Sequence, residues 1–187
     1  MFANAFATPD LKGITYLPGR PCQYRADCKS GVFKIGESKF VGSSLPMEIL
    51  SWRTFEDQLF DYPHQTWMEV LFVDPRNVVS HILFKTQSLD NFLDFMLDLA
   101  SQGKAIGQGV TTAKMSKRSG DLGVYYAVEF EWKESDKKRV TELEAFASEQ
   151  DLYASRLVDV RHLKNAEVQP LELPAYSLPA QRLPTRE

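Results

Sequence analysis

The sequence predicts a mainly β fold, a five-stranded barrel with one helix between its third and fourth strands and another after the fifth. Three observations carry this. Apolar residues alternate, or run on over strand length, in segments between positions 47 and 86 and between 125 and 132, each bounded by turn residues. From Leu89 to Ala100 the apolar spacing changes to the helical period. Prolines at 170, 174, 179 and 184 block both helix and central strand, so the regular elements lie before them.

Residues 1–31 are rich in Pro and Gly and read as an irregular arm. The barrel is expected over 32–133. Val32–Ile35 and Lys39–Val41, joined by Gly36-Glu37-Ser38, form a short hairpin before it or the opening half of its first strand. Met47–Phe55 is the first main strand, with Met47 and Ile49 on one face and Glu48, Leu50 and Trp52 on the other. An acidic, aromatic loop follows, holding Phe60, Tyr62 and His64. Thr66–Val73 is the second strand. Asp74-Pro75-Arg76-Asn77 has Asp and Pro at the first two positions of a type I turn, and Val78–Thr86 returns as the third strand.

Ser88 stands where a helix N-cap belongs, with Asp90 favourable against the helix dipole. Leu89, Phe92, Leu93, Met96, Leu97, Leu99 and Ala100 make a wide apolar face, and Gly103 is the natural residue to end the helix. Ala105–Met115 is the fourth strand; Gly107 and Gly109 weaken it unless a bend or a close backbone approach requires them. Lys114–Gly120 reads as a basic turn leading to the fifth strand, Tyr125–Trp132, where Tyr126, Val128, Phe130 and Trp132 face inward and Tyr125 outward. Asp136 caps a second helix running to about Ser155, with Val140, Leu143, Phe146, Ala147 and Tyr153 as its apolar stripe. That helix belongs to an extension over 134–163, and the Pro-rich tail, 164–187, is expected to be extended or disordered.

Composition narrows the function classes. No apolar run is long enough to span a bilayer, and the first ten residues lack the basic start and apolar centre of a signal peptide, so a cytoplasmic protein without membrane contact is expected. Cys22 and Cys28 find no second ligand pair among the scattered His64, His81 and His162, which favours two reduced thiols over a zinc site. No nucleophile elbow, phosphate-binding loop or His-Glu-x-x-His motif occurs. Glu48, Glu69, Glu129 and Glu131 alternate on strands, a pattern that suits a solvent face better than a Mg²⁺ site. A non-catalytic protein with no metal and no cofactor is therefore expected.

The formal net charge of −3 gives no global attraction to polyanions, yet Lys104, Lys114, Lys117 and Arg118 fall in a stretch without acidic residues. These four cations, with outward Tyr125 and either Trp52 or Trp67 as a flat surface, are the candidate ligand-binding residues. The strand-strand-strand-helix-strand-strand order is that of the OB-fold. The segments Val79–Thr86, Gly107–Lys114 and Val124–Phe130 resemble OB-fold proteins of the single-stranded-DNA-binding type, more loosely their phage- and cyanobacterial-type members, over roughly residues 32–132.

That resemblance implies binding of single-stranded DNA, or RNA, on a strand face through base stacking and phosphate contacts, and frequent homo-oligomerisation. Bacterial members commonly end in an acidic tail with a final hydrophobic pair, whereas this chain ends Leu183-Pro184-Thr185-Arg186-Glu187. The alternative is a barrel used for protein–protein interaction or assembly, with the C-terminal helix or tail holding the partner.

Overall fold

The computed structural model describes residues 13–17, 19–60, 62–120, 123–150 and 152–153. The strands are β1 (Cys22–Asp27), β2 (Val32–Ile35), β3 (Lys39–Gly42), β4 (Ser44–Asp57), β5 (Gln65–Val73), β6 (Val79–Lys85), β7 (Gly109–Gly120) and β8 (Gly123–Glu134). The helices are α1 (Thr86–Ser101) and α2 (Lys137–Glu149). The fold is mainly β, as expected, but the sheet is a curled half-barrel of eight strands in the order β3-β2-β1-β6-β5-β4-β7-β8. It is not a five-stranded barrel.

The reason lies in residues 22–27, expected within an irregular arm. Cys22, Tyr24 and Ala26 alternate with Gln23, Arg25 and Asp27, and this segment pairs in parallel with β6 through Cys22–Tyr24 against Ser80–Ile82. The edge of β6 that a closing strand would need is thereby taken. The opposite edge, β8, is met by other groups. Tyr126 N donates to the Cys28 carbonyl (2.8 Å). Val128 N donates to Ser88 Oγ (3.0 Å), and Asn91 Nδ2 donates to the Val128 carbonyl (2.8 Å). Ser88 therefore satisfies a strand edge and does not cap its own helix, which starts at Thr86 without a side-chain cap.

The core fills the side of the sheet that faces α1. Met47, Ile49, Met68, Val70, Phe72, Ile82, Phe84, Ala113 and Val128 bury against Leu89 and Phe92 of α1. Leu93 and Leu97, counted in the apolar face of this helix, are exposed. The helix ends as expected: Gly103, in the left-handed region, donates to the Ala100 carbonyl and Lys104 N to that of Leu99, a Schellman motif. Gly109 is needed for a close approach, because a Cβ there would stand 2.4 Å from the Lys133 carbonyl oxygen.

The turn at Asp74–Asn77 closes with Asn77 N donating to the Asp74 carbonyl (2.8 Å). Its aspartate is buried and also collects Tyr24 Oη (2.8 Å), Arg76 Nε (2.9 Å), Arg76 N (2.9 Å) and Val78 N (3.1 Å). Burial pushes the Asp74 carboxyl up, but the Arg76 guanidinium, the Tyr24 hydroxyl and the two backbone donors outweigh it and hold the group below the usual range.

α2 is capped by Asp136, whose carboxylate accepts from Lys138 N (2.7 Å), but it stops at Glu149, short of Ser155. Arg139 ties it to Glu48 of β4 (2.5 Å). Residues 1–12, residues 154–163 of the expected C-terminal extension and the Pro-rich tail lie outside the described residues. Among the described residues no helix is long and apolar enough to cross a membrane.

Candidate functional site

β1 and β6 run in parallel, so their C-terminal ends emerge side by side. Outward alternation places Gln23, Arg25 and Asp27 beside His81, Leu83 and Lys85. The β4–β5 loop brings Phe60 and Tyr62 against Trp67 from one side, edge-on at 6.1 and 5.9 Å. Tyr125 and Tyr126 of β8 approach from the other. These groups line one cleft of about 770 Å³, floored by the residues around Lys85–Ser88.

Cations and rings alternate along it. Lys85 Nζ lies 2.8 Å from the centroid of the Tyr62 ring and 5.5 Å from that of Trp67. The Arg25 guanidinium stands 5.5 Å from the Phe60 ring centroid. Arg25 Nε is enclosed, with no hydrogen-bond partner among the described residues. A buried donor left unpaired is costly; Gln65 Nε2, Thr111 Oγ1 and Arg118 Nε are in the same condition.

Four cations, Arg25, Lys29, Lys34 and Lys85, line the cleft with two acids, Asp27 and Glu37. Lys34 is committed to Asp27 (2.6 Å). That ammonium, then the Ser30 hydroxyl, holds the Asp27 carboxyl well below the usual carboxylate range. The cleft is therefore net positive in a chain that is net negative.

Tyr125 is exposed, as expected, and its hydroxyl donates to Gln87 Oε1 (2.9 Å). Tyr126, assigned to the core from its alternation, also lines the cleft. Its ring lies over Gly31: a Cβ there would stand 2.7 Å from it, and the backbone φ of +71° favours glycine as well.

The expected site residues divide. Trp67 reaches the cleft, but it is 3% exposed, and its Nε1 donates to the Asp57 carbonyl (3.1 Å); it forms the wall against which Phe60 and Tyr62 rest. Trp52 goes elsewhere. A bulge at Leu50 shifts the register between Ile49 and Ser51, which turns Trp52 onto the face of Met47 and Ile49. Its ring packs edge-on against Phe92 at 6.3 Å.

The basic turn is strand for its whole length, since the β7–β8 ladder continues to Gly120 opposite Gly123. Lys114 pairs with Glu131 (2.5 Å) and Arg118 with Glu129. Lys117 alternates onto the other face, and is exposed. Lys104 follows α1 and lies 5.2 Å from the Trp132 ring centroid, at the far end of β8 from Tyr125. These four cations do not converge.

Arg25, Lys29, Lys34 and Lys85 were missed as site residues. The alternation of residues 22–27 was the available signal for the first of them; nothing local marks Lys85 as anything but the end of a strand. Cys22 and Cys28 are both free thiols, and burial pushes the Cys28 thiol up. Among the described residues no group of three or more His, Cys, Asp or Glu is placed to hold a metal ion. No family model, curated protein or solved structure matches this chain.

Proposed function

We propose that the protein binds single-stranded nucleic acid, DNA in the first instance, in the cleft between β1, β6 and the β4–β5 loop. The observation that carries this reading is the pairing of exposed rings with cations that have no carboxylate partner among the described residues: Phe60, Tyr62 and Tyr125 beside Arg25, Lys29 and Lys85. Rings at such a surface stack bases with little regard to sequence, worth about 1–3 kcal/mol per base, and cations meet the phosphates that follow. The enclosed Arg25 Nε supplies a donor that a phosphate or base oxygen would satisfy.

The neighbour order β6-β5-β4-β7-β8 supports an OB-type reading. It is the order 3-2-1-4-5 when those strands are counted along the chain. In OB-folds the ligand lies on the face of the second and third strands, between the loops that join the first to the second and the fourth to the fifth. The cleft shares with that arrangement the loop between the first two of these strands (Phe60, Tyr62) and the outer face of the third, β6, while β1 supplies much of the rest of its lining.

The test is a titration of intrinsic fluorescence with oligo-dT and oligo-U in a Trp52→Phe/Trp132→Phe variant, which leaves Trp67 as reporter. Quenching that weakens as salt rises is expected. Absence of binding at low salt would refute the proposal.

A further inference from the structure

The cleft has a histidine at one end that the binding mode above does not use. His81 lies two residues before Leu83 and four before Lys85 on the same outward row of β6, about 13 Å along the strand from that lysine. It lines the cleft, with its side chain 21% exposed. Its Nδ1 is 3.0 Å from Glu69 Oε1, and the other oxygen of that carboxylate accepts from Arg53 Nε (2.8 Å).

This support decides the tautomer. Burial pushes the Glu69 carboxyl up, but the hydrogen bonds from His81 and Arg53 outweigh it and hold the group below its usual range. An ionised carboxylate only accepts, so Nδ1 carries the hydrogen. Nε2 has no hydrogen-bond partner among the described residues. In the neutral ring it is a lone pair and repels a phosphate oxygen; in the protonated ring it is a donor.

The charge count changes in the same direction. Arg53 and Glu69 cancel each other, so the group of three is neutral with a neutral ring and carries one positive charge with a protonated one. Glu69 of β5 touches His81, with Arg53 of β4 behind it; the other charged groups that share the cleft with it are Arg25 and Asp27 of β1, Lys29 of the β1–β2 turn, Lys34 of β2, Glu37 of the β2–β3 turn and Lys85 of its own strand. Its register partners, Gln23 of β1 and Leu71 of β5, are uncharged.

We propose that His81 is a proton-gated phosphate contact, so that the cleft holds a single strand more tightly in mildly acid than in mildly alkaline solution. This rests on the nucleic-acid reading above. Binding would then take up a proton, and histidine is the side chain that changes charge between about pH 5 and 8.

The experiment is a titration of the full chain with fluorescein-labelled oligo-dT at constant ionic strength, at about pH 8 and about pH 6, above the range where carboxylates titrate. Wild type, His81→Gln and His64→Gln are compared, the last as a control for the exposed loop histidine. The expected result is about tenfold or more tighter binding by wild type and His64→Gln at the lower pH, the order of one added charge-assisted hydrogen bond. His81→Gln should bind as wild type does at the higher pH and gain nothing at the lower.

Wild-type affinity that changes by less than about twofold, or a His81→Gln variant that tightens as wild type does, overturns the His81 contact while leaving the binding reading intact. Failure of wild type to bind at either pH overturns both. If His81→Gln does not fold, a wild-type affinity that does not tighten at the lower pH still overturns the His81 contact.

Discussion

Lys85→Gln isolates one phosphate contact in the proposed cleft. Of the four cations that line it, Lys34 is held by Asp27 at 2.6 Å, which leaves Arg25, Lys29 and Lys85 without a carboxylate partner among the described residues. Each phosphate neutralised on a single strand contributes about 0.7 to the slope of log K against log salt, so three give a slope of about −2. Removing the Lys85 charge should bring it to about −1.4. Taking 1 M salt as the point where this contribution vanishes, the lost contact is worth about 0.7 of a decade at 0.1 M, roughly fivefold or about 1 kcal/mol.

Lys85 also lies against the Tyr62 ring, so the glutamine variant tests charge with much of the side-chain length retained. Lys85→Arg should restore both slope and affinity, because a guanidinium can keep the charge and the ring contact. The assay is fluorescence anisotropy of a labelled oligo-dT across about 50–300 mM salt. If Lys85→Gln keeps the wild-type slope, or loses the same factor at every salt concentration, the assignment of Lys85 to a phosphate is wrong.

Four further outcomes follow from the geometry. Lys114→Gln and Arg118→Gln should leave oligonucleotide affinity within about twofold, since each cation is already paired with a glutamate across the β7–β8 ladder; a loss of the size expected for Lys85→Gln would return the site to that hairpin. Gly31→Ala should cost about 2 kcal/mol or more in urea unfolding, from the left-handed backbone together with the displaced Tyr126 ring, and a variant as stable as wild type would contradict that contact.

Asp74→Ala should cost about 3 kcal/mol, because it strands the buried Tyr24 hydroxyl and the Val78 amide, while exposed Arg76 regains water. Since the folded state holds Asp74 below its unfolded value, its contribution is complete above about pH 4 and lost as pH falls below it. The wild-type urea midpoint should therefore fall on acidification more than that of Asp74→Asn; equal declines would remove Asp74 from the account.

Much of the local structure was legible in the sequence, because strand and helix periods are set by which residues a few positions apart must share an apolar face. The β5–β6 hairpin, the helix ending at Gly103, the aspartate cap of α2 and the outward Tyr125 are of this kind. The candidate site was legible only at Tyr125, Trp67 and the aromatic loop of Phe60 and Tyr62. An inserted residue at Leu50 reverses every later position of β4, so Trp52 left the face that strict alternation assigned to it.

What the tertiary structure alone decided is which strands became neighbours and which charges met. Residues 22–27 took the edge of β6, which kept the barrel open and carried Arg25 into the cleft. Antiparallel pairing set Lys114 and Arg118 within reach of Glu131 and Glu129, cancelling a basic run that looks uncompensated along the chain. Periodicity is a property of a segment and can be read from it; partnership depends on segments distant in sequence. The cations that remain available to a ligand are those whose neighbours across the sheet happen not to be acids.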